Sequence, residues 1–375
     1  AQSTSGSRVV LGENSFAGFL EEDTDNRFIY NGKDTLTMTL KNGQEIYYEE
    51  NCDPFEAWHR YNKIVLNNDT KEKNLYFWKN LEYCTWVEQK RQAALKNQKN
   101  SQVLNETFVY DYLRRIEKLN LPKGKFTIDA GWHGGEDGGA VYGNWEINRT
   151  KFPNFEKLIE TIANEGYIPS LWFAPGWVTK HSKIAEKHPD WVGINFTGNT
   201  EDPVKSDTYY FKPVPELKKY YKDVFLPYVQ MGIRKFKMDL YYEDKNVMKE
   251  LHRNLYEAVK ELDENLEVEI LIHDIFVSRY ADTVRGNDFF IRPDGEWRGL
   301  VKEHYTVCRN SSPDKVINLD HVGSNSPDVD EDQFLENWEM FKSYDGYPVI
   351  SLIPDHFSQK TIDKFRDDLK EKYPE

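Results

Sequence analysis

The rhythm of apolar and polar positions changes near residue 73. Before it, short β-type runs at 27–30, 35–40 and 45–48 are separated by the turn signals Asn31-Gly32 and Asn42-Gly43. They predict a small antiparallel segment, part of a sandwich, with a helix following over 54–65. The polar stretch 67–73 reads as a linker, so the chain divides into a β-rich unit at 1–73 and a second unit at 74–375. In the second unit, brief apolar runs predict strands at 82–86, 125–131, 168–174, 233–239, 266–273, 288–292, 315–320 and 348–353. Stretches with apolar spacing near 3.6 predict helices at 106–119, 154–165, 215–230, 246–262, 299–307 and 331–342, and a last one at 361–372. Phe108, Tyr112, Ile116 and Leu119 share one face of the first. Alternation of this kind predicts an α/β fold, a (β/α)8 barrel of the TIM type with a small N-terminal β-rich segment.

The stretch 232–244, G-I-R-K-F-K-M-D-L-Y-Y-E-D, shows how such a barrel would carry chemistry. A short strand breaks off at Asp239, and Lys237 lies two residues earlier, on the same side of the strand. In these barrels the working residues sit at the C-terminal strand ends. The predicted ends supply Trp86, Asp129 with Trp132, Trp172 with Trp177, Lys237 with Asp239, His273 with Asp274, Asp288, Asp320 with His321, and Asp355 with His356.

Composition narrows the chemistry. The formal charge of −14 disfavours a nucleic-acid or anionic membrane partner, and no apolar run reaches the roughly 20 residues of a membrane span, so a soluble chain is expected. Cys52, Cys84 and Cys308 form neither a disulfide framework nor a zinc pattern. The segment 1–7 reads equally as a mature terminus or an added scar, which leaves the compartment, secreted, periplasmic or cytoplasmic, open. The rim lacks a Gly-rich phosphate loop. Its carboxylates amid aromatics fit glycoside hydrolysis, in which one carboxylate attacks the anomeric carbon and a second donates a proton to the leaving oxygen. A metal-dependent hydrolase is the rival, but the first strand reads Y-C-T-W where H-x-H is usual. Neither metal nor cofactor is expected.

Residues 129–191 contain D-A-G-W-H-G-G-E-D, then G-N-W-E-I-N-R-T-K-F-P-N, L-W-F-A-P-G-W-V and H-P-D-W. In order and spacing this series resembles the retaining α-galactosidases of glycoside hydrolase family 36, and F-K-M-D at 236–239 looks like their nucleophile strand. The V-R-G-N-D of 284–288 is closer to the R-x-x-D of family 31 relatives. The resemblance implies that Asp239 is the nucleophile and Asp288 the general acid/base, with Arg285 orienting substrate or carboxylate. It implies that Lys237 bonds a sugar hydroxyl, that Asp129 accepts hydroxyls with both oxygens, and that Trp132 stacks on the terminal sugar. Trp172 and His321, the latter opening H-V-G-S-N-S-P, join the substrate-binding candidates. Lys237 is expected to keep Asp239 ionised, and the apolar run 289–291 to raise the pKa of Asp288.

The chain departs from the family at Ala130, where the family has a second Asp, and at Ala174, where it has a Glu. Asp294, on a P-D-G turn, and Asp282 remain alternatives for the acid. The reading is a retaining exo-α-glycosidase, with α-galactosidase leading, that takes an oligosaccharide or glycoside. A family 31-type α-glucosidase specificity and a non-catalytic carbohydrate-binding barrel are the alternatives. The residues do not fix the oligomeric state.

Overall fold

Eight parallel strands pair in chain order: β1 (Glu82–Cys84), β2 (Lys125–Ile128), β3 (Ile168–Phe173), β4 (Lys235–Met238), β5 (Glu267–Ile270), β6 (Thr283–Arg285), β7 (Val316–His321) and β8 (Tyr347–Ile350). They close with Val349 of β8 opposite Glu82 of β1, giving the (β/α)8 barrel that the alternation predicts. The computed structural model describes residues 2–3, 8–21, 27–33, 35–40, 43–67, 76–134, 141–195, 207–239 and 245–374. The linker expected at 67–73 (past Asn67), Asn42 of the second turn signal and residues 240–244 lie outside the described residues.

All eight predicted helices appear within a few residues of their expected ends, among them Glu106–Lys118, Lys245–Leu262 and Glu331–Lys342. The sixth strand differs. It was expected at 288–292, from the apolar run Phe289-Phe290-Ile291, but β6 is Thr283–Arg285. Only one of its three residues is apolar, so no apolar run marks it. Phe289 instead packs on Trp297, and Phe290 is 43% exposed beneath the Lys90 ammonium. Residues 286–292 are therefore a loop over the barrel mouth, and Asp288 rides on it. A helix at Trp86–Lys96 also appears, and a three-stranded excursion (Trp177–Thr179, Thr208–Phe211, Val192–Asn195) extends the loop after β3; apolar periodicity marked neither.

Barrel interiors are commonly filled by Val, Ile and Leu. Here the alternation is inverted. Phe236 of β4 faces outward, against Phe173 and Phe225, while Lys235 and Lys237 point inward. Lys235 Nζ reaches Glu82, Glu269 Oε2 (2.6 Å) and Tyr347 Oη (3.2 Å), and Lys125 Nζ reaches Glu267 (3.2 Å), all fully buried. Thr127, Ser170, Thr283 and Asn318 supply further hydrogen bonds in the same interior. Buried charges need partners, and this network pairs each buried ammonium with a carboxylate, although Glu267 Oε2 and Glu269 Oε1 accept no hydrogen bond.

The N-terminal portion forms two three-stranded antiparallel sheets, with Arg27–Tyr30 central in one and Ser15–Phe19 central in the other. Three strands, Gln2–Ser3, Val9–Leu11 and Ser15–Phe19, were not expected. Helix Pro54–Val65, N-capped by Asp53, lies over the second sheet. Phe16, Trp58 and Tyr61 pack there with Ile275 and Phe276 from the barrel, and the buried Arg8–Asp274 pair (3.3 Å) ties the layers together.

Candidate active site

β4 ends at the barrel mouth and places Asp239 there. Its backbone N–H donates to Phe173 O (2.7 Å), and each carboxylate oxygen takes one side-chain donor. Arg285 Nη2 bonds Oδ1 at 2.7 Å, and Trp172 Nε1 bonds Oδ2 at 2.5 Å. Arg285 ends β6. Its Nη1 lies 3.0 Å from Asp288 Oδ1 and 3.4 Å from Asp320 Oδ1. One guanidinium thus gathers three carboxylates. Beneath it, Arg285 Nε is 3.6 Å from Glu269 in the interior network, which fixes its height in the barrel.

The pocket formed here measures about 90 Å³ and is lined by Trp86, Asp129, Ala130, Trp172, Lys237, Asp239, Arg285, Asp288 and His321. Seven of the nine residues named from the sequence line it: Asp129, Trp172, Lys237, Asp239, Arg285, Asp288 and His321. The other two do not. Trp132 is fully buried; its Nε1 donates to Trp172 O (2.9 Å), and its ring sits among Trp145, Phe155, Phe173 and Tyr228. It supports Trp172 from behind and is not placed to stack on a sugar. Asp294 is exposed on its P-D-G turn and accepts from Glu296 N (3.1 Å). Asp282, the other acid alternative, is tied to Lys260 (2.6 Å) and Val268 N (2.8 Å) before β6 begins. Trp86 and Ala130 line the pocket as well; the strand-end position of Trp86 was its only signal.

Charge is distributed differently from expectation. Lys237 serves Asp129 (Nζ to Oδ2, 2.6 Å), and the cation in contact with Asp239 is Arg285. Asp129 Oδ2 also accepts from Cys84 Sγ (3.2 Å) and Oδ1 from Ala130 N (2.7 Å), which leaves little of this carboxylate for two sugar hydroxyls. Burial pushes Asp239 above the usual carboxylate range, against the pull of Arg285 and Lys237. Burial also works on Asp288, but Arg285, His321 and Lys237 outweigh it and leave this carboxyl below its ordinary value. The apolar run beside Asp288 therefore does not raise its pKa, as had been expected. Asp320, deeply buried beside Asp288, is pushed up to about 8. His321 is pushed down to about 3 by burial and by Lys237, so it faces the pocket as a neutral ring. Asp288, Asp320 and His321 could bring donor atoms within 4.8 Å of one another; Arg285 holds Oδ1 of each of the two carboxylates.

Asp274 and Asp355 play supporting parts. Asp274 caps the helix Ile275–Ser278, and Asp355 pairs with Arg115 at 2.7 Å.

The family model described as Melibiase matches residues 56–209, which include β1 to β3. Alpha-galactosidase AgaA of Geobacillus stearothermophilus is 36% identical over 89 residues, 23% of this chain. The matched stretch spans only 12% of that relative's length. The α-galactosidase TtGalA from Thermus thermophilus, solved with p-nitrophenyl α-D-galactopyranoside, superposes with a TM-score of 0.69 at 17% identity, covering 96% of this chain and 76% of that one. The Flavobacterium johnsoniae GH31 dextranase FjDex31A, complexed with glucose, gives a TM-score of 0.68 at 12% identity, covering 96% of this chain and 47% of that one. At such identities the superpositions speak for the fold alone. Through the matched stretch and the barrel, the chain resembles the α-galactosidases of glycoside hydrolase family 36.

Proposed function

We propose that the protein is a retaining exo-α-glycosidase that removes a terminal α-linked galactose. The observation that carries this reading is the pair Asp239 and Asp288 on the two terminal nitrogens of one guanidinium, in a pocket at the barrel mouth. Two carboxylates so bridged lie close together, as a retaining pair requires (about 5–5.5 Å between carboxyls). The match to Melibiase supports the same chemistry.

In the first step Asp239 attacks the anomeric carbon. The bond to the leaving oxygen breaks as that oxygen takes the proton of Asp288, and a glycosyl-enzyme ester forms. In the second step Asp288, now ionised, removes a proton from water, which attacks the same carbon and frees Asp239. Trp172 and Arg285 hold the nucleophile by opposite oxygens, which fixes its plane. Lys237, His321 and the remaining lone pair of Asp129 are available to sugar hydroxyls.

One observation favours a second specificity. Ala130 forms part of the pocket wall where the family has a second Asp, which removes a hydroxyl acceptor and favours an α-glucoside of the family 31 kind. Release of p-nitrophenol from a panel of α- and β-linked galactosides and glucosides decides. Turnover of the α-galactoside is expected; turnover of the α-glucoside instead would reassign the sugar, and a silent panel with a folded protein would overturn the exo-glycosidase reading.

The electrostatics predict the pH profile. The free enzyme needs Asp239 ionised and Asp288 protonated, but Asp239 is raised and Asp288 lowered from the same ordinary value, so the competent form is a minority species whose share falls as pH drops below the value of Asp288 and as it rises above that of Asp239. The two titrations are pushed apart, and that of Asp288 belongs to the coupled set that includes Asp320. A bell in kcat/KM on the acid side of neutrality, with a low maximum, is expected. A plateau extending above pH 7 would contradict these assignments.

A further inference from the structure

The segment D-H-V-G-S-N-S-P at 320–327 follows β7, and the chemistry above uses only its first two residues. Its Asn325 is 4% exposed and makes five contacts around Asp288. Nδ2 donates to Asp288 Oδ2 at 3.0 Å, on the oxygen that Arg285 leaves unengaged. Oδ1 accepts from Trp86 Nε1 (3.0 Å) and from Lys90 Nζ (3.1 Å). The backbone closes the arrangement: Asn325 O accepts from Lys90 Nζ (2.5 Å), and Asn325 N donates to Phe289 O (3.1 Å), next to Asp288 in the chain.

Two donors on Oδ1 fix which way the amide is turned, since its NH2 cannot face them. The NH2 must then point at Asp288. A left-handed turn at Gly323 (φ 79°) and Ser324 (φ 73°) brings the residue to this place, where an extended backbone would carry it past the mouth. Asp288 rides on a loop, so neither a strand nor a helix holds its carboxyl. Arg285 grips one oxygen and Asn325 the other.

We propose that Asn325 is a positioning residue for the acid/base. It holds the plane of the Asp288 carboxyl so that its proton is aimed at the glycosidic oxygen, with Trp86 and Lys90 locking Asn325 in turn. This rests on the reading of Asp288 given above. A positioning role on the acid acts on bond breaking only where the leaving group needs a proton. A role in folding or sugar binding acts on all substrates alike.

The test compares kcat/KM for a 2,4-dinitrophenyl α-glycoside, whose leaving group departs without protonation, with that for the methyl glycoside of the same sugar, which needs it. In Asn325→Ala, a fall of about 10–100-fold for the methyl glycoside is expected, the loss of one charge-assisted hydrogen bond at the transition state. The dinitrophenyl substrate should stay within about threefold of the wild type. Equal falls for both substrates, or none for either, would overturn the proposal while leaving the glycosidase reading intact. Should Asn325→Ala fail to fold by circular dichroism, Lys90→Met carries the same decision, because it keeps the amide and removes the donor that locks it. A folded wild type without glycosidase turnover would overturn both readings.

Discussion

Replacing Asp239 by Asn or Ala is expected to lower turnover by on the order of 10⁴ to 10⁶-fold, the range seen when a covalent nucleophile is removed. The two variants fail for different reasons. Asp239 receives Arg285 on Oδ1 and Trp172 on Oδ2, and an Asn can offer an oxygen to only one of them. Its NH2 then faces a second donor, so Asp239→Asn disturbs the pocket as well as the chemistry. Asp239→Ala leaves Arg285 two other carboxylates, Asp288 and Asp320, and opens the space below the anomeric carbon. With an activated α-glycoside and added azide, the anion should enter that space. The bond to the leaving group breaks, a carbon–nitrogen bond forms, and the product is the inverted β-glycosyl azide. Recovery of turnover as the β-azide, identified by NMR, establishes Asp239 as the nucleophile. Loss of turnover without such a product, in a folded variant that still binds sugar, would move the nucleophile elsewhere; unchanged turnover would remove Asp239 from the reaction.

Local pattern made the barrel legible, because each helix announces its buried face by its own spacing. Helix Glu331–Lys342 matches its expected bounds. β6 was misplaced because Thr-Val-Arg is too short and too polar to stand out beside Phe289-Phe290-Ile291, and only pairing with Glu269 and Val316 defines it. The rim followed the same logic. Lys237 and Asp239 could be placed together from a two-residue spacing, whereas the choice of Asp129 as partner to Lys237 depends on β2 and β4 flanking β3 in the closed barrel. Trp132 was misread because a Trp after a strand-end Asp looks alike whether it turns into the pocket or behind it. Here it turns behind, and Tyr228 and Phe155 from the flanking helices close over it. Asn325 stood in a quoted motif, but nothing in the one-dimensional pattern joins it to Asp288, 37 positions earlier.

The charged interior was the least legible feature and carries the largest expected effect on stability. Lys235 is fully buried, with Glu82 and Glu269 on its ammonium, and those carboxylates come from strands far apart in sequence. Glu269 is held well below its ordinary value despite its burial, by Lys235 and then by Arg285. Removing one partner of such a set strands the others, at a cost of about 3–5 kcal/mol. Lys235→Met is expected to destabilise the fold by that amount in chemical denaturation at neutral pH. Lys125 does not compensate, since its ammonium is engaged with Glu267 and is itself pushed down to about 8 by burial. The sign of the pH dependence follows. In the variant, Glu269 loses the first of the cations that hold its value down, so its folded value rises and the stability its ionised form gives the wild type is reduced. The deficit should therefore be smallest at low pH, where Glu269 is protonated, and grow as pH rises through the ordinary carboxylate range, about 4.3. Adding Glu82→Gln and Glu269→Gln to Lys235→Met should recover much of the loss, because neutral amides remove the stranded charge. Because Glu269 also stands under Arg285, the single variant should lose activity along with stability. A Lys235→Met protein with wild-type stability across pH 5–8 would show that water or rearranged side chains replace the ammonium, and that the interior charges are not what holds the catalytic arginine in place.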